Sequence, residues 1–184
     1  MLAYTMTTEI NKTLDAIVAK TSVIWDTHQD LLKEDGFDFE ITYTIIQHSY
    51  KAYSYEETNI LGTCFTELIV NAFKAIYGRG TYELRKNTDE EDKVILRQRR
   101  GKINVSLTPT NQEYIFSVQD NGDGIPPENY DTIFQIGFST RNTGGIGLNL
   151  AKERIENLGG RIYFESVVNQ GTTFCIELPS NSHE

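Results

Sequence analysis

The hydrophobic pattern of the chain predicts helices in the first half and mostly strands in the second. Apolar residues recur at roughly helical spacing over residues 9–33, and residues 37–43 then alternate like a short strand. A longer helix is predicted from about Ile60 to Tyr77, because its apolar side chains form one wide face. The glycines of Gly78-Arg79-Gly80 end this helix.

Strands dominate the pattern after residue 102. Residues 103–107 alternate with period two and residues 114–119 form an apolar run with partial alternation, so the pair predicts an antiparallel hairpin. The segment 81–102 is dense in charge and predicts a solvated excursion or a hairpin-like insertion. The other predicted elements are a short helix at 130–134, a helix from 144 to 158, and strands at 161–166 and 172–178.

Composition narrows the function classes. One domain is expected from 184 residues, of which 39% are hydrophobic and 23% charged. The net charge of −9 argues against nonspecific nucleic-acid binding but leaves room for a small anion at a local positive site. The sequence shows neither a secretory signal nor an apolar run long enough to span a membrane, so we expect a cytoplasmic segment without membrane contact. Cys64 and Cys175 are predicted to be reduced thiols.

One polar stripe interrupts the apolar helix at 60–77. Glu67, Asn71 and Lys74 follow one another at i, i+4 and i+7 and therefore share one side of the helix. An amide oxygen can ligate Mg²⁺, an ammonium can meet a phosphate, and a carboxylate can act as a general base. A solvated helix face explains these three residues equally well when they are taken alone.

The predicted strand at 114–119 leads into Asp120-Asn121-Gly122-Asp123-Gly124-Ile125-Pro126. This arrangement offers a carboxylate at a strand tip, followed by glycines that allow another molecule to approach the backbone. An ordinary surface turn has the same residue types. Further along, Gly145-Ile146-Gly147 opens a helix, where backbone N–H groups and the helix dipole favour a phosphate.

Together these stretches resemble a known family. In chain order they are Glu67-Leu-Ile-Val-Asn71-Ala-Phe-Lys74-Ala, Asp120-Asn-Gly-Asp-Gly-Ile-Pro, Ile133-Phe-Gln-Ile-Gly-Phe-Ser-Thr-Arg141 and Gly144-Gly-Ile-Gly-Leu-Asn-Leu-Ala151. This order and spacing resemble the ATP-binding domain of the superfamily that joins DNA gyrase, the ninety-kilodalton heat-shock chaperones, histidine kinases and mismatch-repair ATPases. The similarity is greatest to the catalytic domain of sensor histidine kinases and covers about residues 58–179.

The resemblance implies a role for each matching residue. Asn71 would ligate Mg²⁺, Lys74 would face the phosphates, and Asp120 would accept a hydrogen bond from the exocyclic amine of adenine. Glu67, Lys74 and Arg141 form the implied catalytic set, with Arg141 near the terminal phosphate. The remaining implied contacts are Gly122 and Gly124 against the base and ribose, Phe134 and Phe138 as anchors of an ATP lid at about 135–145, Gly145 and Gly147 around the triphosphate, and Leu148 and Thr172 in the binding set.

The resemblance also implies an α/β (α+β) fold, a two-layer sandwich of a mixed, mainly antiparallel sheet packed on helices, of the Bergerat type. We expect residues 1–57 to be an N-terminal helical region, related to a helical dimerisation segment and able to support a homodimer. Residues 58–179 would form the ATP-binding domain with the charged insertion at 81–102, and residues 180–184 a polar tail.

Two features depart from the family pattern. Asn149 occupies a position where these kinases usually have a further glycine. The chain also lacks a His-Glu-Leu-Arg-like phosphoacceptor motif, because His28, His48 and His183 all lack such flanks. If the resemblance holds, the acceptor histidine lies outside this chain.

The leading hypothesis is therefore an ATP- and Mg²⁺-dependent histidine kinase domain of a two-component system. It would act on a histidine-bearing dimerisation domain or with a response regulator. Three alternatives remain: an ATP hydrolase that works as a conformational switch, a non-catalytic ATP-binding or docking module, and a serine kinase of the anti-sigma type.

Overall fold

The computed structural model describes residues 13–46, 48, 51–137 and 146–180. Five strands form one mixed sheet of order β1-β2-β3-β5-β4, in which β1 and β2 are parallel and the other neighbours antiparallel. The strands are β1 Asp38–Ile45, β2 Arg100–Pro109, β3 Glu113–Asp120, β4 Arg161–Val167 and β5 Gly171–Pro179. The helices are α1 Leu14–Glu34, α2 Tyr55–Tyr77, α3 Thr81–Lys86, α4 Glu90–Leu96 and α5 Gly147–Asn157.

The helices pack on one face of this sheet and enclose the core between the two layers. Alternate residues of β2 and β3 are buried on that face, as the period-two pattern requires. Phe65 of α2 stacks on Phe116 of β3 with ring centroids 3.8 Å apart. This arrangement confirms the predicted two-layer fold and the predicted hairpin of β2 and β3.

Helix α2 carries most of the helical side of the core. Its N-terminus is closed by a capping box, in which Ser54 Oγ accepts from the Glu57 amide and the Glu57 carboxylate accepts from the Ser54 amide. The helix therefore begins at Tyr55, earlier than the predicted start near Ile60. By length and composition the stretch Tyr55–Lys86 could cross a membrane, but half of its most apolar window is buried inside the fold.

The segment before α2 is continuous with the same core. Strand β1 pairs with β2 along its whole length, and Trp25 of α1 packs against Phe39 of β1 and Phe73 of α2. The division suggested at residues 57 and 58 falls within α2. A role for residues 1–57 in dimerisation stays a prediction.

The charged segment 81–102 differs from the predicted excursion or hairpin. It folds into α3 and α4, and residues 100–102 already belong to β2. Asp89 caps α4 by accepting from the Asp92 amide, a local signal that the dense charge obscured. The predicted short helix at 130–134 is also wrong, because Pro127–Asn129 form a 3₁₀ turn and turns follow.

Candidate nucleotide-binding site

A cavity of about 340 Å³ lies between α2, the loop that follows β3 and the N-terminus of α5. Its volume is in the range of small-molecule sites in proteins. The lining combines polar and apolar side chains, and both α2 and the other elements contribute polar ones. Its residues are Glu67, Asn71, Lys74, Ala75, Gly78, Arg79, Glu83, Asp120, Asp123, Gly124, Ile125, Pro126, Asn129, Ile133, Ile146, Gly147, Leu148, Thr172 and Phe174.

Asp120, at the tip of β3, is the buried carboxylate of this cavity. Only 5% of its surface is exposed, and burial raises its pKa to about 6 despite two backbone hydrogen bonds that oppose the shift. Both donors, the amides of Gly122 at 2.8 Å and Thr172 at 3.3 Å, bond to Oδ1. Within the described residues no hydrogen bond to Oδ2 is observed, so this oxygen is available to accept one from a ligand.

Glycines allow the Asp120 loop to lie tightly against its neighbours. Gly171 has φ +119°, and a Cβ there would overlap the carbonyl oxygen of Asp120. A Cβ at Gly122 would meet the backbone of Ala75 in α2, and one at Gly124, with φ +70°, would meet the carbonyl of Val167. These close approaches are therefore between parts of the protein, and contact of Gly122 or Gly124 with a base or ribose stays a prediction.

A second set of hydrogen bonds fixes the same loop to the β4–β5 hairpin. Ser166 Oγ accepts from the Ile125 amide at 2.8 Å and shares a hydrogen bond of 2.9 Å with Thr172 Oγ1. On the opposite side, the Asp123 amide donates to the Ala75 carbonyl at 3.1 Å. The carboxylate end of the cavity is thus attached to both layers of the fold.

The polar stripe lies on one side of α2, as its spacing predicted, and this side faces the cavity. Glu67, Asn71 and Lys74 all line it, and Asn71 Nδ2 donates to Glu67 Oε1 at 3.0 Å. This bond directs the amide nitrogen towards Glu67 and leaves the Asn71 oxygen for a cation. Gly147 at the start of α5 lies so close to Glu67 that a Cβ there would overlap its carboxylate.

This donor set fits a Mg²⁺ ion held largely by phosphate oxygens. No group of three or more His, Cys, Asp or Glu able to hold a metal is found among the residues that the structure describes. An ion supported by one amide oxygen, waters and substrate phosphates needs no such group. Asn71 is the residue that would hold it.

Apolar side chains supply the rest of the cavity wall. Ile125, Ile133, Leu148 and Phe174 line it and offer the flat, apolar surroundings that a purine ring needs. Sequence reasoning identified only Leu148 of these four as a site residue. The others belong to strands and turns whose side-chain direction becomes known only with the fold.

Arg79 and Glu83 also line the cavity and were missed. Arg79 was treated only as part of the helix-ending Gly-Arg-Gly. Its guanidinium donates to Thr88 Oγ1 at 2.9 Å and to Asp92 Oδ2 at 3.0 Å, which attaches α4 to the rim of the cavity. Glu83 accepts from the Gly80 amide at 3.0 Å.

The predicted lid residues are only partly described. Phe134 does not line the cavity, but its ring lies 6.1 Å from that of Phe164 and 6.5 Å from that of Phe174. Phe138, Arg141 and Gly145 lie outside the described residues. Their predicted roles therefore stay predictions.

His28 is the early-helix histidine and lies away from this cavity. Its ring packs edge-on against Trp25 at 5.2 Å, and burial and then Arg85 lower its pKa. The side chain is half-buried beside α3.

The sequence of the chain is similar to that of a known protein family. The family described as "Histidine kinase-, DNA gyrase B-, and HSP90-like ATPase" matches residues 56–182. The chain belongs to this family. The resemblance in the four motifs is thereby confirmed, and so is the assignment of an ATPase-type catalytic domain of the histidine-kinase kind.

Curated relatives carry sensor kinase names. The chain is 34% identical over 127 residues to the sensor protein CitS of Halalkalibacterium halodurans. The match covers 68% of this chain and 20% of CitS. It is 40% identical over 80 residues to the sensor histidine kinase DcuS of Escherichia coli. This match covers 43% of the chain and 15% of DcuS. The chain thus spans a fifth or less of the length of these relatives.

Solved structures show the same fold. A catalytic domain of the histidine kinase ThkA has TM-score 0.68 and 21% identity, and the match covers 93% of this chain and 97% of that one. The mycobacterial sensor histidine kinase MprB gives TM-score 0.58 at 18% identity, over 92% and 95% of the two chains. Matches that cover this much of the chain include residues well before 58, in agreement with the pairing of β1 and β2.

Proposed function

We propose that this chain binds ATP with Mg²⁺ and transfers the terminal phosphate to a histidine located outside it. Asp120 carries the proposal, because a buried carboxylate in a cavity with an apolar wall can accept a hydrogen bond from the exocyclic amine of adenine. Guanine presents a carbonyl at that position, so two acceptors would face each other unpaired. Family membership and the sensor kinase relatives support the same substrate class.

The opposite end of the cavity suits the phosphates. Asn71 would hold the metal, Lys74 supplies a positive charge, and the N-terminus of α5 at Gly147 adds the positive end of a helix dipole. Fixed positive groups of this kind stabilise the charge that develops during phosphoryl transfer. When bound, Mg²⁺ would neutralise part of the negative charge of the phosphates.

The acceptor belongs to a partner in this proposal. A histidine-bearing dimerisation domain, or a response regulator downstream of it, is the partner class that sensor kinase relatives suggest. A cytoplasmic location and a homodimer formed through the N-terminal region belong to the same proposal.

The test is phosphotransfer in trans. The chain is incubated with Mg²⁺, ATP labelled on the terminal phosphate, and purified histidine-bearing helical hairpins of sensor kinases. Acid-labile, alkali-stable label on the hairpin, lost with Asn71→Ala, is the expected result. Absence of label with every hairpin, while ATP still binds, would leave a non-catalytic ATP-binding module as the better description. Acid-stable label would indicate a serine kinase.

One observation favours a second candidate, an ATP hydrolase. Glu67 lines the cavity one turn before Asn71 and contacts its amide, a position from which a carboxylate can activate water. Phosphate release without an acceptor, abolished by Glu67→Gln, would support this function. Release that is absent, or unchanged in Glu67→Gln, would remove it.

A further inference from the structure

Asn149 makes a hydrogen bond between two separate elements of the fold. It lies in the first turn of α5 and is half-buried. Its Nδ2 donates to the backbone carbonyl of Phe134 at 2.9 Å. Phe134 precedes Asn149 by 15 residues and belongs to the turns that follow Pro127–Asn129, so the bond joins α5 to a segment outside it.

Each of the two bonded residues is next in sequence to a residue of the cavity wall. Ile133, next to Phe134, is 4% exposed and lines the cavity. Leu148, next to Asn149, lines it from α5 together with Gly147. A bond from Asn149 to Phe134 therefore sets the separation of the two walls.

A second contact supports the same junction. Lys152, one turn further along α5, places Nζ 5.4 Å from the centre of the Phe134 ring. The same ring lies 6.5 Å from Phe174, which lines the cavity from β5. A cation over a ring tolerates sliding, whereas the hydrogen bond of Asn149 fixes both distance and direction.

The residue type at position 149 decides whether this bond exists. Glycine has no side chain and could not donate to the Phe134 carbonyl. Asparagine is a weak helix former, and its cost is offset where the side chain finds a fixed partner. The amide is thus the group that links the two walls.

We propose that Asn149 is a positioning residue that holds the Ile133 wall and the Leu148 wall of the nucleotide cavity at a fixed separation. The effect on nucleotide binding rests on the proposed function, whereas the effect on the wall rests on the bond itself. Loss of the donor weakens ATP binding by about tenfold, the size expected for one hydrogen bond that preorganises a site.

The test compares two variants that each delete one side-chain amide. Asn149→Leu removes the donor but keeps the side-chain volume. Asn104→Leu is the control, because Asn104 Nδ2 donates to Gln119 Oε1 at 3.2 Å between exposed positions of β2 and β3, and Asn104 does not line the cavity. Asn149→Gln, which retains an amide donor, is the rescue variant.

Two measurements are made on the full chain: the Kd for ATP with Mg²⁺, and amide hydrogen exchange over residues 133–137 without nucleotide. Asn149→Leu is expected to raise the Kd about tenfold and to accelerate exchange in that segment. The control should stay within about twofold for the Kd, and Asn149→Gln should recover part of both losses.

Equal values for Asn149→Leu and Asn104→Leu in both measurements would overturn the inference. If the parent chain binds no ATP, the proposed function fails and hydrogen exchange alone decides. Faster exchange only in Asn149→Leu would then still support the positioning role, and unchanged exchange would overturn it.

Discussion

At one end of the cavity a buried carboxylate is fixed by backbone groups, and at the other end a row of helix side chains lines the wall. Asp120 receives two backbone hydrogen bonds, and Gly171 lets the neighbouring strand lie directly against it. Among the described residues, the hydrogen bond observed for the Asn71 side chain is to the side chain of Glu67. We call these the carboxylate end and the stripe end of the cavity.

The difference indicates how the two ends bind. The carboxylate end is preformed, so recognition of a base there requires no ordering of side chains. The stripe end consists of individual side chains, which become ordered when a metal and phosphates bind to them. Base selection should therefore be insensitive to metal, whereas tight binding of a triphosphate should require it.

Removing the side-chain amide of Asn71 should give the largest difference between ligands of the two ends. Asn71→Ala deletes the residue that would hold Mg²⁺ while leaving the backbone at Asp120 intact. We expect binding of ATP with Mg²⁺ to weaken about 100-fold, which is about 3 kcal/mol, while adenosine binding changes less than about twofold. Calorimetric titration with both ligands measures this.

Thr63→Ala on the same helix is the control for that change, because the Thr63 hydroxyl bonds to the Asn59 carbonyl at an exposed position. An equal loss of adenosine binding in Asn71→Ala would show that the two ends are not independent.

Two glycine substitutions probe how each end is built. Gly171→Ala places a Cβ against the Asp120 backbone at φ +119°, so something in the main chain must move. We expect a loss on the order of 3 kcal/mol in the free energy of unfolding. Gly147→Ala meets only the Glu67 carboxylate, which can rotate away, so its cost should be below about 1 kcal/mol.

Rotation of Glu67 would, however, break its bond to Asn71. Gly147→Ala should therefore weaken ATP binding with Mg²⁺ about tenfold in a nearly normally stable protein. Urea unfolding measures the free energy of unfolding of both variants, and ATP titration measures their affinity for ATP with Mg²⁺. Similar stability losses in the two variants would contradict the distinction between a backbone-built end and a side-chain-built end.

The pH dependence gives the smallest expected effect. Burial raises the pKa of Asp120 to about 6, so its carboxylate becomes protonated as the pH falls through that value. Since Oδ1 already accepts two amides, the proton would occupy Oδ2 and replace an acceptor with a donor facing the adenine amine. Adenosine affinity should fall about tenfold from pH 8 to pH 5.

Protein stability should respond to Asp120 with the opposite sign. A raised pKa disfavours the ionised form in the folded state, so the contribution of Asp120 to the free energy of unfolding is greatest below its unfolded pKa near 4 and is lost as the pH rises through about 6.

Adenosine binding followed at several pH values, in the absence of Mg²⁺, checks the predicted change in affinity. A flat profile would show that protonation of Asp120 does not control binding.

Local patterns predicted the strands from β2 onwards, the longer helices and the placement of several polar residues of the cavity. The i, i+4, i+7 spacing placed Glu67, Asn71 and Lys74 on one side of α2, and the strand before Asp120 fixed its position at a strand tip. The earlier start of α2 was also readable, because Ser54 and Glu57 have capping-box spacing.

Other parts of the site depend on tertiary pairing. The bonds of Ser166 and Thr172 to the Asp120 loop arise from the registers of β3, β4 and β5. No local pattern contains that register. Arg79 became a cavity residue only because α3 and α4 fold back and supply partners for its guanidinium.

The most direct test of the account is recognition of the adenine amine by Asp120. Binding of adenosine and of purine riboside, which lacks the amine, is measured for the parent chain and for Asp120→Asn. The account predicts that the parent prefers adenosine by about 100-fold and that Asp120→Asn, which presents its own amide donor, loses this preference while remaining folded. An equal preference for adenosine in both proteins would contradict it.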